Sequence, residues 1–338
     1  MKTFRQDIWK KEEYTYAAGY GFMPNIRAYL HDDDDEVRKC LLVVPGGGYC
    51  MVVPPEAEII AKTFYEKGMN AFVLTYTTDI TMSVPLKKQP LMDISRAVRL
   101  IRKNSKEYKI DPNSLFVAGF SAGGHVCGSL CVHFDDVDDT DEYREFSNRP
   151  DGAILGYPVI TTGEYTHIYS VMALVGSDAS EEEKDYFSIE KNVTENTPPC
   201  FIWQTEKDGL VPVENSYLMA KALRKKGVSF THHVFPRGDH GLSVATEDFF
   251  KGRFGEPYTM EQLTLAIENV KNGTAVNLSE RRRTELFEQF KLNEKKPEDK
   301  KQNPSVRPSE NSKDEEWKNP YADVAMWPDM AYEWMINI

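Results

Sequence analysis

The chain has 338 residues and a formal net charge of −12, with 41% hydrophobic and 12% aromatic residues. This composition can supply a sizeable core and differs from that of disordered chains. Nucleic acids and anionic membranes bind clustered Lys and Arg, so the negative charge argues against both as partners. At this length we expect one large domain with an appendage.

Two short acidic runs, residues 31–36 and 135–142, lie between apolar segments. We interpret both as solvated turns. The first contains four consecutive aspartates, Asp32 to Asp35, and lacks the alternating ligands and central Gly of a calcium loop. We therefore expect no metal ion in the protein.

Cysteine usage and the first residues bear on the cellular compartment. The five cysteines stand singly, with no CxxC pair, which predicts buried reduced thiols rather than disulfides or a zinc site. Residues 1–10 carry four charges and no apolar run follows them, so neither a secretory signal nor a membrane span is expected. The cytoplasm is then the expected location.

Apolar, β-branched runs alternate with helical patterns along the first 235 residues. The predicted strands cover residues 39–44, 71–76, 115–120, 152–157, 200–205 and 231–235. The predicted helices cover residues 56–67, 91–103, a segment that begins at Ala122, and 216–226. Strands separated by helices of this length predict a mainly parallel sheet covered on both faces, which is an α/β fold.

The pattern changes after about residue 250. Residues 260–270 and 278–290 could each form an amphipathic helix, residues 291–319 are charged and aperiodic like a flexible linker, and residues 321–338 carry an apolar stripe typical of a docking terminal helix. We therefore predict a core at 1–250, an insertion at 251–319 and a helix at 320–338 that completes the core. The insertion is either a lid beside the active site or a surface excursion.

The strongest chemical signal is Gly119-Phe120-Ser121-Ala122-Gly123, which matches the GxSxG nucleophile elbow. It follows a predicted strand and precedes a predicted helix, as the elbow requires. Small residues are needed on both sides because the serine sits in a sharp, strained turn. Ser121 is therefore the predicted nucleophile.

An oxyanion hole needs two N–H donors near this serine. One is the N–H of Ala122 at the start of the helix. Pro45-Gly46-Gly47-Gly48-Tyr49 occupies the place of the HGGG-type loop of lipases and esterases, which makes Gly47 and Gly48 candidates for the other donor. An ordinary glycine turn is the alternative.

Serine needs a base, and the expected chain order is Ser, Asp or Glu, His. His240 lies in a Gly-flanked loop after the last predicted strand, whereas His232 and His233 fall within that strand. His125, four residues after the serine, would point along the helix and is interpreted as structural. The loop after residues 200–205 offers Asp208 as the orienting acid, with Glu206 as a weaker alternative.

Several motifs together resemble a family of bacterial α/β-hydrolase esterases, the acetylxylan esterase-like and feruloyl-esterase-like carbohydrate esterases. They are PGGGY at 45–49, Asp111-Pro112, AGFSAGGH at 118–125, RPDGAILGYPVI at 149–160, DGLVPVENS at 208–216 and FPRGDHGLS at 235–243. The resemblance covers most of residues 35–250 and the final helix. Two departures from the family pattern are Pro45, in place of the HGGG-type histidine, and the long insertion.

The resemblance implies an α/β-hydrolase fold with an insertion before the C-terminal helix. The site residues it implies agree with those above: Ser121, Asp208 and His240 as the triad, and Gly47, Gly48 and Ala122 as the oxyanion hole. It implies hydrolysis of acetyl esters of xylan-derived oligosaccharides through an acyl-enzyme, without a cofactor, and a cytoplasmic location would favour imported oligosaccharides over polymer.

Two other functions remain open. A serine peptidase of the prolyl-oligopeptidase type has the same triad order but normally carries a propeller domain, which this chain lacks. A noncatalytic binding protein on a hydrolase scaffold would be expected to have lost a triad residue. The fold alone does not separate these functions from an esterase.

Overall fold

The computed structural model describes residues 1–293 and 317–338. Within these residues the strands form one eight-stranded sheet in the order β1-β2-β4-β3-β5-β6-β7-β8. The strands are β1 (Lys2–Asp7), β2 (Asn25–Leu30), β3 (Arg38–Val44), β4 (Asn70–Thr75), β5 (Ile110–Phe120), β6 (Gly152–Gly156), β7 (Cys200–Thr205) and β8 (Phe230–Phe235). The pairs β1–β2 and β2–β4 are antiparallel, and every pair from β4 to β8 is parallel.

Helices connect the strands and cover both faces of the sheet. In chain order they are α1 (Glu58–Glu66), α2 (Gln89–Lys103), α3 (Ala122–His133), α4 (Asp141–Arg144), α5 (Ile168–Val175), α6 (Glu181–Phe187), α7 (Ile189–Asn192), α8 (Glu214–Lys226), α9 (Glu247–Phe250), α10 (Glu261–Asn272), α11 (Glu280–Gln289) and α12 (Trp327–Ile336). None of the described helices is long and apolar enough to cross a membrane.

The two faces of the sheet follow from the alternation of side chains along each strand. In β3, Leu42 and Val44 pack into a core on one face together with residues of α2, α3 and α10, while Leu41 and Val43 pack on the other face with α1 and α12. Because successive side chains point to opposite faces, a continuous apolar strand supplies both cores at once. The predicted α/β-hydrolase fold class is confirmed.

The six predicted strands are present, but the structure adds β1 and β2, which the sequence did not suggest. β1 lies at the edge of the sheet and its sequence, KTFRQD, lacks an apolar run. β2 carries Arg27 in its middle, and the guanidinium lies over the ring of Tyr258, 4.6 Å from its centroid. Both strands therefore contain polar residues that their position in the sheet or a neighbouring ring accommodates, and these residues hid them from a search for apolar runs.

Most of the second acidic run, residues 135–142, is exposed as predicted, but Asp139 is an exception that corrects part of the prediction. Asp139 is only 3% exposed and accepts hydrogen bonds from Nε of Arg96 at 2.9 and 2.8 Å. Arg96 on α2 is itself buried, and a buried guanidinium needs a counter-charge. The first run does lie exposed, as predicted for residues 31–36.

The insertion contributes to the main core. Helices α10 and α11 lie where they were predicted, and Leu263, Ala266, Val270 and Leu286 are buried in the same cluster as the sheet residues. Most of the predicted linker, residues 294–316, lies outside the described residues. The five cysteines are buried and unpaired, which confirms the prediction of free thiols.

Candidate active site

Ser121 lies in a sharp turn between β5 and α3. Its backbone has φ 54° and ψ −120°, a conformation that L-residues rarely adopt. A Cβ on Gly123 would lie 2.0 Å from the carbonyl oxygen of Val44, and one on Gly119 would lie 2.2 Å from that of Gly123. Both glycines are therefore sterically required, as the elbow motif predicted.

The loops after β7 and β8 bring an acid and a histidine to this serine. His240 Nε2 lies 2.8 Å from Ser121 Oγ, and His240 Nδ1 lies 2.7 Å from Asp208 Oδ2. The three groups lie at the carboxyl ends of parallel strands, where α/β sheets place their sites. The side chain of Asp208 is fully buried and that of His240 is 13% exposed.

The loop around Asp208 fixes this carboxylate on both of its oxygens. Oδ1 accepts hydrogen bonds from the N–H groups of Leu210 at 3.0 Å and Val211 at 2.9 Å, which leaves Oδ2 for the histidine. Since a carboxylate only accepts, His240 Nδ1 carries the proton and Nε2 is free to accept from Ser121. Glu206, the weaker alternative, pairs instead with Lys207 at 3.0 Å.

The His240 loop is tied to the Asp208 loop by Asp239. Oδ1 of Asp239 accepts from the N–H of Gly209 at 3.1 Å and from the N–H of His240 at 2.8 Å. The Tyr157 ring lies edge-on to the imidazole, with centroids 4.9 Å apart. These contacts hold the histidine ring from two sides.

The glycine loop passes directly over the serine. A Cβ on Gly46 would lie 2.8 Å from Ser121 Cβ, and the Gly46 N–H donates to Glu56 Oε2 at 2.7 Å. Within residues 1–293 and 317–338, no protein acceptor lies within hydrogen-bonding distance of the N–H of Gly47 or Gly48. These two N–H groups and that of Ala122, at the N-terminus of α3, are therefore uncommitted donors in the two segments that adjoin the serine.

Glu56 is a buried acid beside the site that sequence analysis missed. Its Oε1 accepts from the Tyr157 hydroxyl at 2.7 Å, and burial raises the pKa of the carboxyl, opposed by these hydrogen bonds and by the nearby His240. The Tyr157 hydroxyl also accepts from the Ser243 N–H at 3.2 Å. Glu56 thus links the glycine loop to the His240 loop. Its position two residues before an amphipathic helix gave no sign of burial.

The C-terminal helix reaches the same network through Trp327. Its indole N–H donates to the carbonyl of Ser243 at 2.8 Å, and its ring stacks on Trp203 with centroids 5.3 Å apart. The loop that carries His240 is therefore supported by a residue almost ninety positions further along the chain.

His167 is a second residue that sequence analysis missed. Its Cε1 lies 3.7 Å from where a Cβ on Gly48 would stand, and its Nδ1 is hydrogen-bonded to Ser170 Oγ at 2.8 Å. Burial lowers the pKa of His167, and the neighbouring His240 acts in the same direction. His167 therefore borders the glycine loop close enough to the triad for the charges of His240 and Asp208 to act on it.

The other histidines lie away from the serine hydroxyl. His125 is buried, with Nδ1 2.7 Å from the Tyr49 hydroxyl and Nε2 2.8 Å from the carbonyl of Phe187, so it joins α3 to two neighbouring segments. His232 lies on β8, 3.0 Å from Ser216 Oγ. In the part of the chain that is described, no three His, Cys, Asp or Glu side chains are grouped to hold a metal ion.

Comparison with known proteins identifies the family. The BD-FAE family model matches residues 27–223, more than half of the chain. The chain belongs to the BD-FAE family. The match includes Ser121 and Asp208 and ends before His240. The predicted class of carboxylic ester hydrolase agrees with the esterases among the relatives described next.

Two curated relatives place the chain more closely. It is 64% identical over 263 residues to "Endo-1,4-beta-xylanase B" of Butyrivibrio fibrisolvens, covering 78% of this chain and 41% of that protein. It is 30% identical over 217 residues to the acetylxylan esterase of Xylanibacter ruminicola, covering 62% of this chain and 42% of that protein. The chain thus spans about two fifths of the length of these curated relatives.

One similar solved structure is matched over nearly its whole length. The acetyl ester-xyloside bifunctional hydrolase of Caldicellulosiruptor lactoaceticus is 34% identical, with a TM-score of 0.68, and the alignment covers 80% of this chain and 97% of that one. The resemblance to carbohydrate esterases that the sequence motifs carry is confirmed. The catalytic roles of the individual residues remain predictions.

Proposed function

We propose that this protein hydrolyses short acyl esters, chiefly acetyl esters, of xylan-derived oligosaccharides through an acyl-enzyme. The observation that carries the proposal is the hydrogen-bonded chain from Ser121 through His240 to Asp208, set beneath a loop with uncommitted N–H donors. The acetylxylan esterase and the acetyl ester-xyloside hydrolase among the relatives support the choice of ester.

The first half-reaction forms the acyl-enzyme. Ser121 Oγ attacks the ester carbonyl carbon while His240 Nε2 takes the hydroxyl proton, and the carbonyl oxygen becomes an oxyanion. The N–H groups of Gly47, Gly48 and Ala122 stabilise that charge; each such donor typically lowers the barrier by about 3 kcal/mol. The tetrahedral intermediate then expels the sugar alkoxide, which receives the proton from His240.

The second half-reaction restores the serine. His240 takes a proton from a water molecule, which attacks the acyl carbon, and the new intermediate collapses to release acetic acid and return a proton to Ser121 Oγ. Asp208 stays ionised throughout and stabilises the imidazolium that forms in both steps.

The name of the Butyrivibrio relative raises xylan backbone cleavage as a second candidate. A glycosidase needs two carboxyl groups that flank the scissile bond, one able to give a proton and one able to act as base or nucleophile. The acids nearest Ser121 are Asp208, committed to His240 and two backbone N–H groups, and Glu56, committed to Gly46 and Tyr157. This arrangement favours the esterase, and the match covers only 41% of that relative.

The test compares the wild type with Ser121→Ala, His240→Ala and Asp208→Asn on p-nitrophenyl acetate and on acetylated xylo-oligosaccharide. Loss of both activities by several orders of magnitude in the first two variants, with poor wild-type hydrolysis of p-nitrophenyl octanoate, supports the proposal. Activity retained by Ser121→Ala contradicts it. A p-nitrophenyl xyloside and a chromogenic peptide, assayed in parallel, test the glycosidase and the prolyl-oligopeptidase alternatives, and an inactive wild type favours a binding protein.

A further inference from the structure

A cleft of about 1000 Å³, lined in part by Cys50 and Met51, adjoins the end of the glycine loop. Helix α5 forms one wall, α11 of the insertion forms the other, and the segment 80–83 forms part of the lining. This volume is at the upper end of the range for small-molecule sites, about 300–1,000 Å³. An acetyl group would occupy a small fraction of it, so the cleft suits the larger part of an acetylated sugar.

The cleft begins where the glycine loop ends. Met51 contacts both. Its carbonyl oxygen lies 2.2 Å from where a Cβ on Gly47 would stand, and Met51 is also one of the residues that line the cleft. On the α5 side, Ser170 Oγ lies 3.8 Å from the Cβ position of Gly48, and Tyr169 and Met172 of the same helix line the cleft. A sugar chain whose acetyl ester carbonyl lies at Ser121 can therefore continue from the glycine loop into the cleft.

The lining of the cleft combines exposed apolar side chains with polar groups, as a sugar-binding surface requires. Tyr169 is 60% exposed and Met172 is 39% exposed, an unusual exposure for two apolar side chains in a concave surface. Hydroxyl and amide groups of Thr81, Ser83 and Gln289 share the cleft with them. A pyranose ring presents C–H groups on its face and hydroxyls on its edge, so it matches an aromatic platform flanked by polar groups.

The α11 wall is fixed rather than free to open. Arg282 Nη2 donates to the carbonyl of Ile80 at 2.8 Å, and Arg282 Nη1 pairs with Glu285 at 3.1 Å. Ser83 Oγ donates to the carbonyl of Val276, in the turn before α11, at 2.6 Å. With Leu286 buried in the main core, α11 stands as a rigid side of the cleft.

We propose that this cleft binds the sugar chain of the ester, with Tyr169 as the platform for a pyranose ring and Gln289 as a hydrogen-bonding group on the opposite wall. This inference rests on the proposed function and assigns to the insertion a part in substrate selection. It predicts that enzyme specificity, expressed as a ratio between a long and a short substrate, depends on residues outside the triad.

The experiment measures kcat/KM for acetylated xylo-oligosaccharide and for p-nitrophenyl acetate, and compares their ratio between variants. Tyr169→Ala is expected to lower the ratio about tenfold, mainly through KM for the oligosaccharide, and Gln289→Ala to lower it by a smaller factor. The matched control is Tyr217→Ala, which removes an exposed tyrosine (47%) from α8, outside the cleft, and is expected to leave the ratio unchanged.

Binding gives an independent measure. In a Ser121→Ala background, calorimetric titration with acetylated xylo-oligosaccharide is expected to show a Kd about tenfold higher when Tyr169 is also replaced by Ala. An unchanged ratio and Kd with an active wild type overturn the cleft proposal and leave the proposed function intact. A wild type that cleaves p-nitrophenyl acetate through Ser121 but not the acetylated oligosaccharide overturns the choice of substrate, and the cleft proposal with it.

Discussion

At the scale of single residues, the orientation of the His240 ring depends on a carboxylate with little freedom to rotate. Asp208 accepts from two backbone N–H groups on one oxygen and from the imidazole on the other. In Asp208→Asn, one end of the amide would present N–H donors, and the histidine would be held in the wrong tautomer. We expect kcat on p-nitrophenyl acetate to fall by about 10⁴.

The control for this variant is Glu206→Gln, which neutralises the other acid of the same loop. Glu206 is exposed and pairs only with Lys207, so its replacement is expected to leave kcat within about twofold of the wild type. A loss in Asp208→Asn of less than about tenfold would show that another group orients His240.

A second residue-scale prediction concerns Glu56, which we regard as a positioning residue. Glu56→Gln retains an acceptor for the Gly46 N–H but removes the negative charge close to His240 and disturbs the bond from Tyr157. We expect kcat to fall about tenfold, equivalent to about 1.4 kcal/mol, with little change in KM.

The matched control for Glu56 is Glu58→Gln, two residues further on. Glu58 is also buried, but it contacts Tyr29 and Lys62 rather than the glycine loop. Comparable losses of kcat in the two variants would mean that general weakening of this segment, and not the contact with Gly46 and Tyr157, is responsible.

At the scale of secondary-structure elements, α12 supports the His240 loop from the far end of the chain. Trp327→Phe removes the donor to the carbonyl of Ser243, which is buried, and an unpaired buried carbonyl costs about 1–3 kcal/mol. We expect the free energy of unfolding to fall by at least about 2 kcal/mol. We also expect kcat to fall about tenfold, because the loop that carries His240 is then held less accurately.

Urea denaturation and p-nitrophenyl acetate kinetics check this prediction together. Trp334→Phe is the control, since Trp334 lies two turns further along the same helix and packs against Phe116 and Phe201 rather than bonding to Ser243. If Trp327→Phe lowers stability but keeps the wild-type kcat, α12 holds the fold without positioning the histidine.

The elements that could be predicted from sequence are those in which one physical requirement, such as burial on both faces or a sterically crowded turn, determines nearly every residue. β3 to β7 are buried on both faces over most of their length and therefore appear as largely apolar runs, and the elbow at Ser121 is set by sterics that only glycine satisfies. β1 and β2 were not predicted because they contain polar residues, which the edge position of β1 and the aromatic ring next to β2 accommodate.

The missing part of the site has a different cause. Glu56 and His167 become neighbours of the triad only through tertiary packing, and nothing in their local sequence distinguishes them from surface residues of the same type. The burial of Tyr157 was predicted with its strand, but its contacts with Glu56 and His240 depend on the fold. Asp139 in the second acidic run was missed for the same reason, because the buried Arg96 that requires it is more than forty residues away. The local sequence pattern predicts secondary-structure elements and motif residues. The residues that support them can be identified only from the three-dimensional structure.

At the scale of the whole molecule, buried ionisable groups make stability depend on pH in opposing directions. Burial raises the pKa of Glu56, Asp79 and Asp93, so the folded state takes up these protons more readily than the unfolded state as the pH falls. Burial lowers the pKa of His125 to about 4 and lowers that of His133, so here the unfolded state binds the proton more readily. The wild-type curve alone therefore mixes both contributions.

A comparison with His125→Gln isolates the histidine, because the carboxyl contributions are common to both proteins. Between the unfolded value, about 6.5, and the folded value, about 4, only the unfolded chain carries the His125 proton, so stability conferred by this residue is present above pH 6.5 and is lost as the pH falls. Relative to His125→Gln, the wild type is expected to lose on the order of 3 kcal/mol of unfolding free energy between pH 7 and pH 4.

Denaturant titrations of both proteins at half-unit pH intervals measure this difference, and Gln can still donate to the carbonyl of Phe187. Two parallel stability curves would mean that His125 takes up its proton in the folded protein as readily as in the unfolded chain, and that the Tyr49 and Phe187 contacts do not depend on a neutral ring.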